Sequence, residues 1–134
     1  MPVEYRLEKD GAVVIAQAHG VLTLDCFLRL QQQMCRDRQL KTIHSTLLDL
    51  RFVTDIRISE ADLLTIAQAL SIGKKQLGAR KLAIVARSEQ SFLLGKKYGE
   101  AKKDVCENVI VFVHMEVAYR WLGVNSPQLV DAFV

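Results

Sequence analysis

The residues able to do chemistry in this chain are few and scattered. His19, His44 and His114 each sit at strand or loop ends, and none has a second histidine four positions on. A zinc-type pair on one helix face needs that spacing, so all three read as surface or capping residues. Cys26, Cys35 and Cys106 are odd in number and irregular in spacing, with no Cys-x-x-Cys pair. That pattern supports neither a disulfide framework nor a structural zinc site, and it fits a reducing, cytoplasmic setting. Asp49 lies inside the apolar run Thr46-Leu47-Leu48-Asp49-Leu50. A buried acid of this kind is either a site candidate through a shifted pKa or a structural acceptor for the backbone of the following loop; the second is the preferred reading. No Gly-rich phosphate loop and no G-x-S-x-G elbow follows any apolar run. The expectation is a protein that binds rather than catalyses, with no metal and no cofactor.

Charge offers one further candidate. Nine basic residues fall between Lys74 and Lys103, opposed there only by Glu89 and Glu100, although the net charge of the whole chain is only +3. Lys74, Lys75, Lys96 and Lys97 are the candidate contacts for an anion or a lipid headgroup. The plainer reading is a solvated face with local pairs such as Lys96 with Glu100. A dedicated nucleic-acid binder carries a denser basic face, so no nucleic-acid partner is expected. The N-terminal residues lack the basic-then-apolar order of a signal peptide, and no apolar run approaches the ~20 residues that cross a bilayer.

The elements that must position these groups follow from periodicity. Residues Val3–Glu8 alternate apolar and polar, Lys9-Asp10-Gly11 signals a turn, and Ala12–Ala16 is a second strand, together a hairpin. Gly20 breaks the pattern. Thr23 then caps a helix whose apolar stripe is Leu24, Phe27, Leu28, Gln31, Met34 and Cys35. A buried strand over Thr46–Leu50 leads to a second helix at Ser59-Glu60-Ala61-Asp62, where the hydroxyl and the carboxylate can cap reciprocally. Its buried face is Leu63, Ile66, Ala67 and Leu70. Lys81–Ala86 is a strand; Ser88 caps a third helix in which Gly95 and Gly99 allow close packing. Val109–Val113 is the last strand. A short helix over Glu116–Leu122 stops at Gly123, and Ser126-Pro127 opens a tail helix over 126–134. Phe27, Met34, Ile66, Leu70, Phe92 and Trp121 are the bulky helical apolar residues, and core is their default place. Strands alternating with helices require parallel pairing. The expected fold class is therefore α/β, a mixed five-stranded sheet with an N-terminal antiparallel hairpin, flanked by helices. It forms one domain over 1–134, with its core in 3–123.

Several stretches in this order resemble the SpoIIAA-like family of small bacterial proteins. They are Gly20-Val21-Leu22-Thr23 before a helix, Leu47 to Thr54 followed by Ile58-Ser59-Glu60-Ala61-Asp62-Leu63, Lys81 to Ala86, Val111-Phe112, and Ala118-Tyr119-Arg120-Trp121-Leu122-Gly123. The family resembles the STAS domain of anti-sigma-factor antagonists and the lipid-binding CRAL-TRIO fold. The resemblance implies a mixed sheet flanked by helices and no catalytic machinery. In STAS antagonists an Asp-Ser-Ser-Gly-Leu motif at a helix start carries the phosphorylated serine. Arg57-Ile58-Ser59-Glu60-Ala61 falls on that motif here, and only Ser59 agrees. Glu60 would repel an added phosphate while the helix N-terminus would attract it. A helix N-cap alone accounts for a serine at this position.

Two functions follow as expectations. The first is a STAS-like interaction module whose partner protein docks around Thr54, Asp55 and Ser59, with Asp49 in the preceding strand. The second is a carrier of a lipid or other apolar ligand, walled by Phe27, Leu28, Ile66, Leu70 and Phe92 with lysines at the mouth. A homodimer through the apolar tail residues Leu129, Val130, Phe133 and Val134 is a further expectation.

Overall fold

A computed structural model of the chain describes residues 3–41, 44–71, 80–101 and 107–124. The hairpin forms as its alternation predicts. Strand β1 (Val3–Glu8) pairs antiparallel with β2 (Val13–Thr23) through a tight turn at Lys9–Gly11. Only glycine fits the last turn position: Gly11 has φ +87°, and a Cβ there would meet the Gln39 carbonyl oxygen at 1.9 Å. The remaining elements are α1 (Leu24–Arg36), β3 (Ser45–Arg57), α2 (Glu60–Ser71), β4 (Arg80–Val85), α3 (Glu89–Ala101), β5 (Glu107–Phe112) and α4 (Met115–Leu122). The sheet is mixed and five-stranded, antiparallel between β1 and β2 and parallel thereafter, in the order β1-β2-β3-β4-β5.

That order decides the layering. Right-handed crossovers that always step to the next strand in one direction put every connecting helix on the same face. Helices α1, α2 and α3 accordingly share a core with Val14, Ala16, Leu48, Leu50, Leu82 and Ile84, which point to one side of the sheet. Helix α4 follows the last strand and covers the other side. Its Met115, Ala118, Tyr119 and Leu122 pack on Val13, Ile15, Leu47, Ala83 and Val85. Neighbouring residues of one strand thus belong to different cores, as the two-residue period of a strand requires.

Several expectations hold in detail. Ser59 and Asp62 form the reciprocal cap of α2: the Asp62 N–H donates to Ser59 Oγ at 3.0 Å and the Ser59 N–H donates to Asp62 Oδ2 at 3.1 Å. Ser88 Oγ accepts from the Ser91 N–H at 3.1 Å. A Cβ on Gly95 would meet Val111 Cγ2 at 2.8 Å, so this glycine does let α3 close on the sheet. Gly123 ends α4 with φ +72°.

Other expectations are corrected. Strands β2 and β3 run well past Ala16 and Leu50. Gly20 does not end β2; with φ +73° it sits at one of two register shifts between β2 and β3. Each shift inserts one extra residue in β3. The apolar–polar alternation is broken there, which is why the extension reads as a loop in sequence. The Thr23 hydroxyl does not cap α1 but lies 3.3 Å from Cys26 Sγ. The buried line of α1 is Cys26, Leu30 and Met34; Leu24, Phe27 and Leu28 are half-buried on its flank and Cys35 is exposed. Phe92 is exposed rather than core, with Lys96 Nζ 5.6 Å from its ring centroid. Lys97 pairs with Glu60 of α2 at 3.5 Å. His44 is buried, its Nδ1 2.9 Å from the Lys41 carbonyl oxygen. The tail over 126–134, Cys106, Lys74 and Lys75, and the side chains of Ala67 and Leu70, lie outside the described residues.

Candidate functional site: the projecting β2–β3 ribbon and the start of α2

Strand β4 pairs only with Thr46–Asp49 of β3, and β1 only with Val13–Ala18 of β2. Beyond those residues the two central strands have only each other. His19–Thr23 and Phe52–Arg57 therefore form a two-stranded parallel ribbon past the body of the sheet. Its inner side is well anchored: Leu22 and Leu50 are fully buried, with Val53, Ile56 and Ile58 packed around the helices. Its outer side is open. Phe52 is 47% exposed, Val21 38%, and His19, Thr54 and Arg57 are exposed as well.

At the root of the ribbon stands a buried ionic cluster. Asp49 is 1% exposed and points to the α4 side. Its Oδ1 accepts from the Arg51 backbone N–H and from Arg51 Nε, both at 3.0 Å. Its Oδ2 accepts from the far guanidinium nitrogen of Arg51 at 3.0 Å and from Gln17 Nε2 at 3.2 Å. This hydrogen bonding, with the Asp49 charge behind it, outweighs burial and raises the Arg51 pKa above its already high ordinary value. The same guanidinium lies 5.2 Å from the Phe52 ring centroid, which fixes the exposed aromatic from below. On the β1 side, Arg6 donates to the Tyr119 hydroxyl at 2.9 Å and pins α4 to the sheet.

At the tip, the ribbon turns into α2. Asp55 accepts from the Ile56 N–H at 2.9 Å and from Arg57 Nε at 3.2 Å. Gln90 of α3 donates to the Ile56 carbonyl at 3.3 Å and ties the tip to the neighbouring helix. Ser59 is exposed, its hydroxyl oxygen accepting from the Asp62 N–H in the cap of α2. The first turn of α3 carries a residue that sequence reasoning passed over. Ser91 is buried, and its hydroxyl has no hydrogen-bond partner among the described residues. An unsatisfied buried hydroxyl costs about 1–3 kcal/mol.

The fold thus brings Thr54, Asp55 and Ser59 together at the tip. Asp49 is kept apart, on the order of 25–30 Å back along the strand from Ser59 at ~3.3 Å per residue. With both oxygens accepting from donors, Asp49 ties the root of the ribbon together. The expected ligand-wall residues are dispersed. Ile66 is inside the core, Phe27 packs on its flank, Leu28 is half-buried, and Phe92 faces outward from α3. Arg51, Phe52, Gln17 and Tyr119 had no signal strong enough to select them. The aromatic directly after Arg51, between it and Val53, was the nearest to one. Among the described residues no group of three or more His, Cys, Asp or Glu is placed to hold a metal, and no helix is long and apolar enough to cross a membrane.

Comparison with known proteins places this geometry. No family model and no curated protein matches the sequence. Among solved structures, the chain resembles a protein of the DUF3478 family with a SpoIIAA-like fold. The TM-score is 0.58 at 17% identity, over 90% of this chain and 91% of the other. The fold of this protein is therefore SpoIIAA-like, as its sequence pattern suggested. The similar protein comes from Shewanella loihica PV-4.

Proposed function

We propose that this chain is a STAS-like interaction module that works by docking a partner protein and carries no chemistry of its own. The observation that supports this best is the open outer side of the β2–β3 ribbon. An exposed aromatic held in place by a buried ion pair is the kind of residue that anchors protein interfaces. The ribbon leads directly into the start of α2, which corresponds in the STAS comparison to the regulated serine. Partner binding centred on Phe52 and Thr54 and reaching Ser59 would be tuned by charge at Ser59, whose backbone cap would survive replacement by aspartate.

The test compares wild type, Phe52→Asp and Ser59→Asp by quantitative cross-linking in the native host. All three proteins should melt alike. A partner other than the chain itself should be recovered with wild type and fall by about tenfold with Phe52→Asp, the loss expected of one anchor residue. Equal recovery of the same partners by all three proteins would sink the reading.

A further inference from the structure

The two edges of the sheet differ in a way that bears on self-association. An edge strand presents unpaired N–H and C=O groups to any strand that can approach, and proteins usually guard such edges with charge. Strand β1 is guarded: Glu4, Arg6 and Glu8 alternate along it. Its Tyr5 is also tied to Asp37 beside the end of α1. Strand β5 is not. Between Asn108 and Val113 it carries no charge, its sequence is Val-Ile-Val-Phe-Val after Asn108, and among the described residues no strand covers its outer edge. Beside that edge apolar groups are left in water, Ile110 and Val117 on the α4 side and Val113 just past the end of the strand. Ile110 is 40% exposed, Val113 61% and Val117 42%. Phe112 and Trp121 continue the strip, half-buried against each other with ring centroids 5.6 Å apart.

We propose that β5 is the homodimer strand of this protein: two copies join antiparallel, edge to edge, into one continuous ten-stranded sheet. The geometry selects the second copy as occupant because the surface is self-complementary under a two-fold axis normal to the sheet. Opposed residues of an antiparallel pair point to the same face. The axis therefore keeps both α4 helices on one side and pairs even positions with even, odd with odd. The register centred on Ile110 sets that residue against Ile110 of the second copy, Val109 against its Val111, and Glu107 against its Val113, just past the end of the strand. No charge meets a like charge, and the exposed Ile110 and Val117 are covered from both sides. This surface is distinct from the ribbon and does not depend on the function proposed for it.

Sedimentation velocity of the full chain should show a dimer. Ile110→Lys sets two ammonium groups face to face at the axis and should convert it to monomer. Its far-ultraviolet circular dichroism should stay unchanged, since the side chain is partly in water already. The register is read by a pair of substitutions at the exposed Val113. Val113→Lys, opposite Glu107, should tighten the dimer, and Val113→Glu should weaken it by about tenfold relative to the lysine variant. Should Ile110→Lys unfold, that contrast carries the test alone. A monomeric wild type overturns the proposal. So does equal dimer affinity of the two Val113 variants, or a dimer that ignores both positions and is lost with Phe133→Asp in the tail.

Discussion

The two faces of the sheet are built from the same strands and covered by different means. Three crossover helices close one face, and its core reaches from Val3 in β1 to Tyr98 in α3. A single eight-residue helix covers the other, and its core is confined to the middle of the sheet. Where α4 ends, polar and exposed apolar groups take over: the Asp49–Arg51 pair, then Phe52 and Val21 on the ribbon, and Ile110 and Val117 on the β5 side. The three-helix face therefore carries most of the stability. The α4 face leaves the ribbon and the β5 side open to solvent. The docking ribbon and the apolar strip beside the dimer edge both lie on that less covered side.

The largest effect that would sharpen the contrast is expected where, among the described residues, the α4 face is both buried and charged. Asp49→Ala leaves the guanidinium of Arg51 four-fifths buried without its carboxylate, and removal of one partner of such a pair costs about 3–5 kcal/mol. Chemical denaturation should show that loss. A cost below ~1 kcal/mol would mean that the root of the ribbon is open to water. The next test compares two residues of the ribbon on opposite faces. Leu22→Ala, on the helix side, should cost about 2–5 kcal/mol because the site is fully enclosed. Phe52→Ala, on the open side, should stay near 1 kcal/mol or less. Equal costs would break the distinction between the faces. The smallest effect concerns the β1 edge. The Tyr5 hydroxyl donates to Asp37 at 2.7 Å, and its pKa is pushed up to about 12, by burial first and by the bond and charge of Asp37 next. Because the folded-state value is raised, the stability contributed by this phenol is fully present below its unfolded pKa of roughly 10. It is lost as pH rises through about 12. The difference in thermal midpoint between wild type and Tyr5→Phe should therefore be constant near neutral pH and shrink in strongly alkaline buffer.

Much of this architecture was legible in residue order. Alternation in Val3–Glu8, the Lys9-Asp10-Gly11 turn, the Ser59/Asp62 cap and the Gly123 stop are set by interactions within a few residues, so local pattern determines them. The alternation of strands with helices likewise determined that the later strands run parallel. What the sequence could not carry is whatever depends on a neighbour remote along the chain. The strand order, and with it the placement of α1, α2 and α3 on one face and α4 on the other, is decided by which strand edges meet. The extension of β2 and β3 is decided by their mutual pairing across two bulges, which erase the period that would announce a strand. Ser59 and Asp55 share the ribbon tip while Asp49 lies far from them, a separation that their ten-residue spacing alone would fit equally well to a compact loop. That Phe92 and Phe52 both lie at the surface follows from the same cause. Burial is a property of the assembled layers, and an aromatic side chain is the same in either place until those layers form.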